Sequence, residues 1–470
     1  MAGTMFRPSC ILYFRIKYIS LRETEAKGYN ESLDTSMPHY DCREHTKEAF
    51  MSLTEHAPKK IEPTKRWYSS LTKGLLWHNR TLLAVSLAVC AAYSGVGMVG
   101  PVRVLYAQSR GASLTIIGLM ASAYLVSNFL FQYPIGWLAD RWGRKQVMLV
   151  GLIAQALISA VYLVITDPVT FIALRFIEGI GTAALLPAAR AFIIDAVPEE
   201  QQGEAYGIFG AFFNAGFLLG PGIGGFLAAF GYSAAFLGSV FFRIIAVGIV
   251  VLMVRNTPPN VLYSDTTKKS FSYKELFTLP LLAAYLIAFG DYLYFGFDQT
   301  LMPLWMHDHL GASVTIIGIT YMMWAIPNAV LSPLGGRIAD RIRYRAWPIL
   351  IFGLAQVPLY LIYGFATTAI VVTVFFGIHG IVYAFIQPAI DAHVATSSAS
   401  SVRAQVQGVY GAIGLIGAFV GASGFSQLYS INYRYPLFTM GIAYGVCVLI
   451  GGVTIMVLER RNYITYRKDV

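Results

Sequence analysis

"GASLTIIG" occupies Gly111 to Gly118, and "GASVTIIG" occupies Gly311 to Gly318. A phrase repeated at that distance raises the question of duplication. With the same offset, Asn128 falls on Asn328, and "GWLADR", Gly136 to Arg141, falls on "GRIADR", Gly336 to Arg341. With one more residue of offset, Gly207, Gly210, Gly216 and Gly220 fall on Gly408, Gly411, Gly417 and Gly421, and Pro187 falls on Pro388. Motifs held in register over such a distance indicate two copies of one unit.

Composition says what kind of unit it is. The 470-residue chain is 56% hydrophobic and only 13% charged. Soluble domains carry about 25% charged residues, so much of this surface must face something other than water. Uncharged blocks such as 81–102, 114–139 and 205–242 are long enough to cross a bilayer as helices, which takes about 20 residues. Cutting the blocks at Gly, Pro, Asn and charged turns gives twelve spans, near 81–106, 113–137, 146–165, 168–191, 205–228, 233–254, 278–305, 313–336, 346–365, 368–391, 404–428 and 435–457. The runs do not alternate, which favours helices over a barrel. The expected fold is an all-α polytopic membrane protein of twelve helices in two pseudo-symmetric six-helix bundles.

The expected organisation is a disordered cytoplasmic leader, 1–80, an N-terminal bundle, 81–255, a cytoplasmic linker, 256–276, a C-terminal bundle, 277–458, and a cytoplasmic tail, 459–470. Within the leader, "CILYFRIKYISL" is too short to cross, a surface-lying helix is a second reading, and Met51 offers an alternative start. Lys and Arg concentrate in loops after even-numbered spans, which places those loops and both termini in the cytoplasm of a cell membrane. That asymmetry accounts for the net charge of +10 without nucleic-acid binding. Four cysteines with no CxxC pair suggest neither disulfides nor zinc. His307-Asp308-His309 offers metal-ligand chemistry, but adjacent side chains diverge, so no metal is expected. No phosphate-binding loop, Ser/His/Asp set or HExxH appears, so neither ATP drive nor catalysis is expected. The expected partners are a small-molecule substrate and the lipid bilayer, with a monomer as the working unit and no cofactor.

"GWLADRWGRK", Gly136 to Lys145, and "GFLLGPGIGG", Gly216 to Gly225, resemble the loop signature and the antiporter motif of the major facilitator superfamily. "LRFIEGIGTA", Leu174 to Ala183, is similar to its fourth-helix motif, with Glu178 where Gln is more usual. The resemblance covers about 81–458 and is greatest to the twelve-helix drug:proton antiporters. It implies alternating access and, through the antiporter motif Gly216 to Gly225, proton-coupled export of drugs or metabolites. It also implies a cytoplasmic latch at Gly136, Asp140, Arg141, Gly143, Arg144 and Lys145, with Arg190, and a second at Gly336, Asp340 and Arg341. The second copy continues "RIRYRAW", which weakens that latch.

The residues give their own reasons. Gly136 would let span two pass close to a neighbour. Gly216, Gly220 and Gly224 make a smooth strip for backbone-to-backbone packing beside Gly225, and Pro221 bends the helix. Charges inside spans point to function. Arg175 and Glu178 lie three apart and can pair. Asp291 and Asp298 share a face of span seven with no base nearby on it, which makes them candidate proton carriers, Asp291 foremost. Glu178 and Arg175 are coupling candidates. A static pair of these aspartates with Arg103, Arg175 or Arg243 is the alternative, and Arg243 has no evident partner. Tyr292, Tyr294, Phe295, His379 and Gln387 are candidate cavity residues. Asp391 could meet Arg190 across the seam. A facilitator or proton symporter importing a sugar or organic acid is the alternative function.

Overall fold

The protein is seen in a computed structural model that describes residues 79–197, 201–254, 275–398 and 402–461. All but residues 79–80 of the expected leader, most of the linker and all but the start of the tail lie outside the described residues.

The duplicated phrase builds the same turn twice. Gly111 and Gly311 have φ of +86° and +62°, a conformation that glycine adopts without Cβ strain, and they end the preceding helices. Ser113 and Ser313 then cap the next helices, each hydroxyl accepting from the amide three residues on, Ile116 or Ile316, at 3.3 Å. Gly118 and Gly318 follow one turn inside.

Among the described residues, twelve helices are long and apolar enough to cross a membrane. Spans one to six are Arg80–Ser109, Leu114–Ala139, Arg144–Val161, Thr170–Ile193, Gly207–Ala228 and Tyr232–Met253. Spans seven to twelve are Leu279–Asp298, Val314–Arg341, Ala346–Phe365, Ala369–Ser397, Gln405–Ile431 and Tyr435–Arg460. Span seven departs from expectation. It stops at Asp298, and a second helix runs Leu301–Leu310. Pro303 has no N–H to bond the Gln299 carbonyl, and the Thr300 hydroxyl bonds the carbonyls of Gly296 and Phe297, at 2.7 and 3.3 Å. Span eleven carries one π-turn, Val420–Gly424.

Packing follows the repeat. In the first half, span one packs on spans five and six, two on four, and three on four and six. The same pairs recur as seven on eleven and twelve, eight on ten, and nine on ten and twelve. The halves meet where span five lies on span eight and span two on span eleven. The glycine strip of span five faces span one: Cβ atoms at Gly216, Gly220 and Gly224 would strike Cys90, Gly97 and Met98. Its other side faces span eight, where Gly225 approaches Gly318. The reading of Gly136 is corrected: a Cβ there would meet nothing within 4 Å, and the close passage is made instead by Gly179, against Tyr124 and Ser127 of span two.

Candidate functional site

Two polar sites lie within the bundle, one in each half. In the first half, Glu178 of span four is buried among three arginines. Its Oε1 accepts from Arg103 of span one at 3.0 Å and from Arg243 of span six at 3.5 Å. Its Oε2 accepts from Arg175 at 2.9 Å. Arg243, which had no evident partner in the sequence, also donates to the Gln155 carbonyl at 3.1 Å and to the Ser159 hydroxyl. Arg175 lies 4.1 Å over the Tyr124 ring. The expected Arg175–Glu178 pair is present, inside a cluster that draws on spans one and six as well.

In the second half, Asp291 is separate from those arginines. Its Oδ2 accepts from the Tyr383 hydroxyl of span ten at 3.0 Å. That hydroxyl also lies 3.1 Å from Gln387 Oε1, and the Gln387 amide donates to Asp391 at 2.9 Å. A line of polar groups thus joins Asp291 to Asp391. Among the described residues no ion pair reaches Asp291 or Asp298, so the static pairing weighed from sequence is not made. The expected meeting of Asp391 with Arg190 is not made either: Asp391 takes its bond from Gln387, and Arg190 is exposed. Asp298 closes span seven, accepting from Gln299 at 3.1 Å and from the Tyr294 hydroxyl at 3.3 Å.

A cavity of about 110 Å³ lies between the halves. Arg103, Arg175 and Tyr124 line it from the first half. Gln299, Thr300 and Tyr321 line it from the second, at the break in span seven. Val104, Met120, Phe217 and Phe295 supply apolar walls. Of the cavity residues expected from sequence, Phe295 is on this wall and Tyr292 packs beside it at 5.9 Å. Tyr294 and His379 are corrected: both are buried within the second half. His379 meets Gln356 Oε1 at 2.9 Å and lies tilted to Tyr294 and edge-on to Tyr360, because an aromatic cluster offers it partners that lipid does not. Sequence reading passed over Tyr383, Gln299, Thr300 and Tyr321, which lie on spans that meet only in the fold.

At the expected cytoplasmic ends, the Asp140 side chain lies outside the described ones. Arg144 donates to the Ala191 carbonyl at the end of span four. Lys145 donates to the carbonyls of Val251 and Val254 at the end of span six, at 3.0 and 2.6 Å. Cations suit helix C-termini, and these tie the loop to its own bundle. Arg141 lies 4.1 Å over Trp137, and Asp340 and Arg341 are exposed. The weak second copy gains a residue that sequence reading missed. Arg345 donates to the Ala392 carbonyl at 2.7 Å, the place equivalent to Ala191 under the repeat. Glu459 accepts from the Arg345 amide at 2.9 Å and so caps span nine.

The opposite end is where the halves touch. The Ser122 and Ser423 hydroxyls lie 2.5 Å apart, Thr315 donates to the Gly225 carbonyl at 3.0 Å, and Gln108 donates to Asp308 at 2.6 Å. The three side chains of His307-Asp308-His309 go separate ways: Asp308 to Gln108, His307 Nδ1 to the Ala312 carbonyl at 3.1 Å, and His309 onto the Tyr433 ring at 3.8 Å.

The comparisons with known proteins agree with this architecture. The family model for the Major Facilitator Superfamily matches residues 85–301 and 292–463. Multidrug resistance protein 2 of Bacillus subtilis is 22% identical over 399 residues, covering 82% of this chain and 96% of that protein. Quinolone resistance protein NorA of Staphylococcus aureus is 24% identical over 403 residues, covering 82% and 97%. Among solved structures, a bacterial homolog of the human lysosomal transporter Spinster, in an inward-facing and occupied conformation, is similar with a TM-score of 0.66 at 18% identity, covering 84% of this chain and 99% of that one. Duplicated bundles, a cavity between them, the signature loop and the glycine strip all converge with that family match: this chain is an integral membrane protein and belongs to the major facilitator superfamily.

Proposed function

We propose that the protein is a proton-coupled exporter of amphipathic compounds, working by alternating access as a monomer in the cell membrane, with both termini in the cytoplasm. The observation that carries the reading is Asp291: a carboxyl group inside a span, bonded to Tyr383 and free of any ion pair among the described residues. A carboxylate without a cation in hydrocarbon is costly, so a proton is its natural companion. Glu178 is held by three cations and is a structural partner rather than a carrier. Closure of the halves at the expected outer end leaves the cycle's other opening on the cytoplasmic side, from which a substrate for export enters. The names of the Bacillus and Staphylococcus relatives, multidrug and quinolone resistance, support export. The energy suffices: about 2.3 kcal/mol per charge per 100 mV and about 1.4 kcal/mol per pH unit.

The test uses everted vesicles with a pH-sensitive dye. Adding an exported compound should release protons from an acidified lumen, and Asp291→Asn should abolish that release while substrate binding persists. Unchanged proton release in Asp291→Asn removes Asp291 from the role. The second reading, proton-linked import of an organic acid, is favoured by Arg103 and Arg175 on the cavity wall. Proton uptake in step with substrate, rather than exchange against it, would establish that reading.

A further inference from the structure

The charge count around Glu178 does not balance. Arg103, Arg175 and Arg243 are three cations on one carboxylate, and both oxygens of that carboxylate are already taken. Among the described residues no other acid pairs with them. Two positive charges are therefore left over inside a membrane bundle, where unpaired charge is strongly disfavoured. The surplus has a direction. Arg243 donates to Gln155, Ser159 and Glu178, its Nε–H has no acceptor among the described residues, and it is wholly enclosed away from the cavity wall. Arg103 and Arg175 line the cavity. Arg103 is only 6% exposed, and its Nε–H has no acceptor among the described residues. Two guanidinium groups on a cavity wall, with positive charge in surplus around them, match the oxygens of a carboxylate, sulfonate or phosphate ester.

The remaining walls describe the rest of the ligand. Gln299 and Thr300 stand at the break of span seven, where the chain brings polar groups to the cavity. Phe217, Phe295 and Met120 offer apolar and aromatic surface. Asp298, the nearest carboxylate in sequence to that wall, is engaged by Tyr294 and Gln299. We infer that this cavity selects amphipathic organic anions, with the anionic head at Arg103 and Arg175 and the apolar body toward Phe217 and Phe295. The inference rests on the proposed reading of the cavity as the transport site and names its substrate class.

The test is a binding comparison on the full-length protein in nanodiscs of zwitterionic lipid. Three probes share one aromatic body: naphthalene-2-sulfonate, 2-naphthylmethanol and 2-naphthylmethylammonium. The sulfonate should bind at least tenfold more tightly than the other two. It should lose tenfold or more in Arg103→Gln, regain part of that in Arg103→Lys, and slow maleimide labelling of Phe295→Cys. Should Arg103→Gln fail to fold, the three-probe comparison on the unmodified protein and the protection at position 295 still decide. Equal or tighter binding of the neutral or cationic probe overturns the inference, as does sulfonate binding that leaves labelling at position 295 unchanged. Repeating the assay with phosphatidylglycerol in the disc separates a soluble anion from a lipid: displacement of the sulfonate assigns the pocket to a lipid headgroup and overturns the assignment to a transported anion. Proton release driven by a cationic dye with no preference for the sulfonate leaves the exporter standing and removes the anion. Selective sulfonate binding without any proton movement does the reverse.

Discussion

Gly318 packs against the backbone of Pro221 and Gly225, so that a Cβ at position 318 would lie 2.5 Å from the Pro221 carbonyl oxygen and 3.0 Å from the Gly225 Cα. Its counterpart Gly118 faces Ala422, Ser423 and Ser426 of span eleven, with the nearest atoms at 3.0 and 3.1 Å. The closing glycines of both copies thus lie where the halves touch. Gly318→Ala should hold the halves apart at that end, whereas Gly136→Ala, with nothing within 4 Å, should change nothing. Spin labels at Gln108 and Asp308 would read the separation. An unchanged distance distribution in Gly318→Ala would show that the seam does not depend on that contact.

Tyr383→Phe removes the hydrogen bond to Asp291 and interrupts the line to Gln387. Hydrogen bonds to charged groups contribute about 1.5–3 kcal/mol, so proton-linked transport should slow by roughly tenfold or more while binding of the substrate holds. Transport at the original rate in Tyr383→Phe would mean that the hydroxyl only packs.

Glu178→Gln leaves three buried guanidinium groups without their carboxylate. Breaking a buried pair costs about 3–5 kcal/mol, so the thermal midpoint in detergent should fall strongly. Naphthalene-2-sulfonate should restore part of the loss, and more than it stabilises the unmodified protein. A midpoint indifferent to the sulfonate would separate the cluster from anion binding.

Arg345→Ala should destabilise the second half by about 1–3 kcal/mol, because the Thr396 hydroxyl loses the guanidinium as a donor and the Ala392 carbonyl keeps only the Thr396 hydroxyl beside its helix bond. Arg144→Ala should act on the first half through Ala191 in the same way. Thermal midpoints of the two variants, measured side by side, check whether the repeat extends to these caps. An effect in one variant only would show that it does not.

If protons move inward as organic anions move outward, each exchange carries two charges in one direction. An inside-negative potential should then speed export, with about 2.3 kcal/mol per charge per 100 mV available. Collapsing the potential with valinomycin and potassium, at constant pH gradient, checks this. A rate that ignores the potential would indicate electrically silent exchange.

The duplicated phrase, the glycine strip and the charged loops could be read early because each is local. Gly111, Ser113 and Gly118 act on neighbours in sequence or on a helix face that spacing defines. The end of span seven was also written locally, in Asp298, Gln299, Thr300 and Pro303, but the apolar residues 301–306 that follow carried the expected span on to residue 305. The site was harder. Glu178 meets Arg103 and Arg243 from spans four, one and six, and Tyr383 meets Asp291 from spans ten and seven. Nothing in helical periodicity says which face of one span will oppose which face of another. His379 and Tyr294 misled for the same reason: polar groups within a span can satisfy each other inside one half instead of lining the passage.

Where span five crosses span eight, bare main chain rests on main chain; where the proposed ligand would sit, side chains would do the selecting. That crossing leaves little room for variation, since a Cβ at Gly225 or Gly318 would wedge it. On the proposed reading, the pocket beneath could change cargo by single replacements without disturbing that crossing.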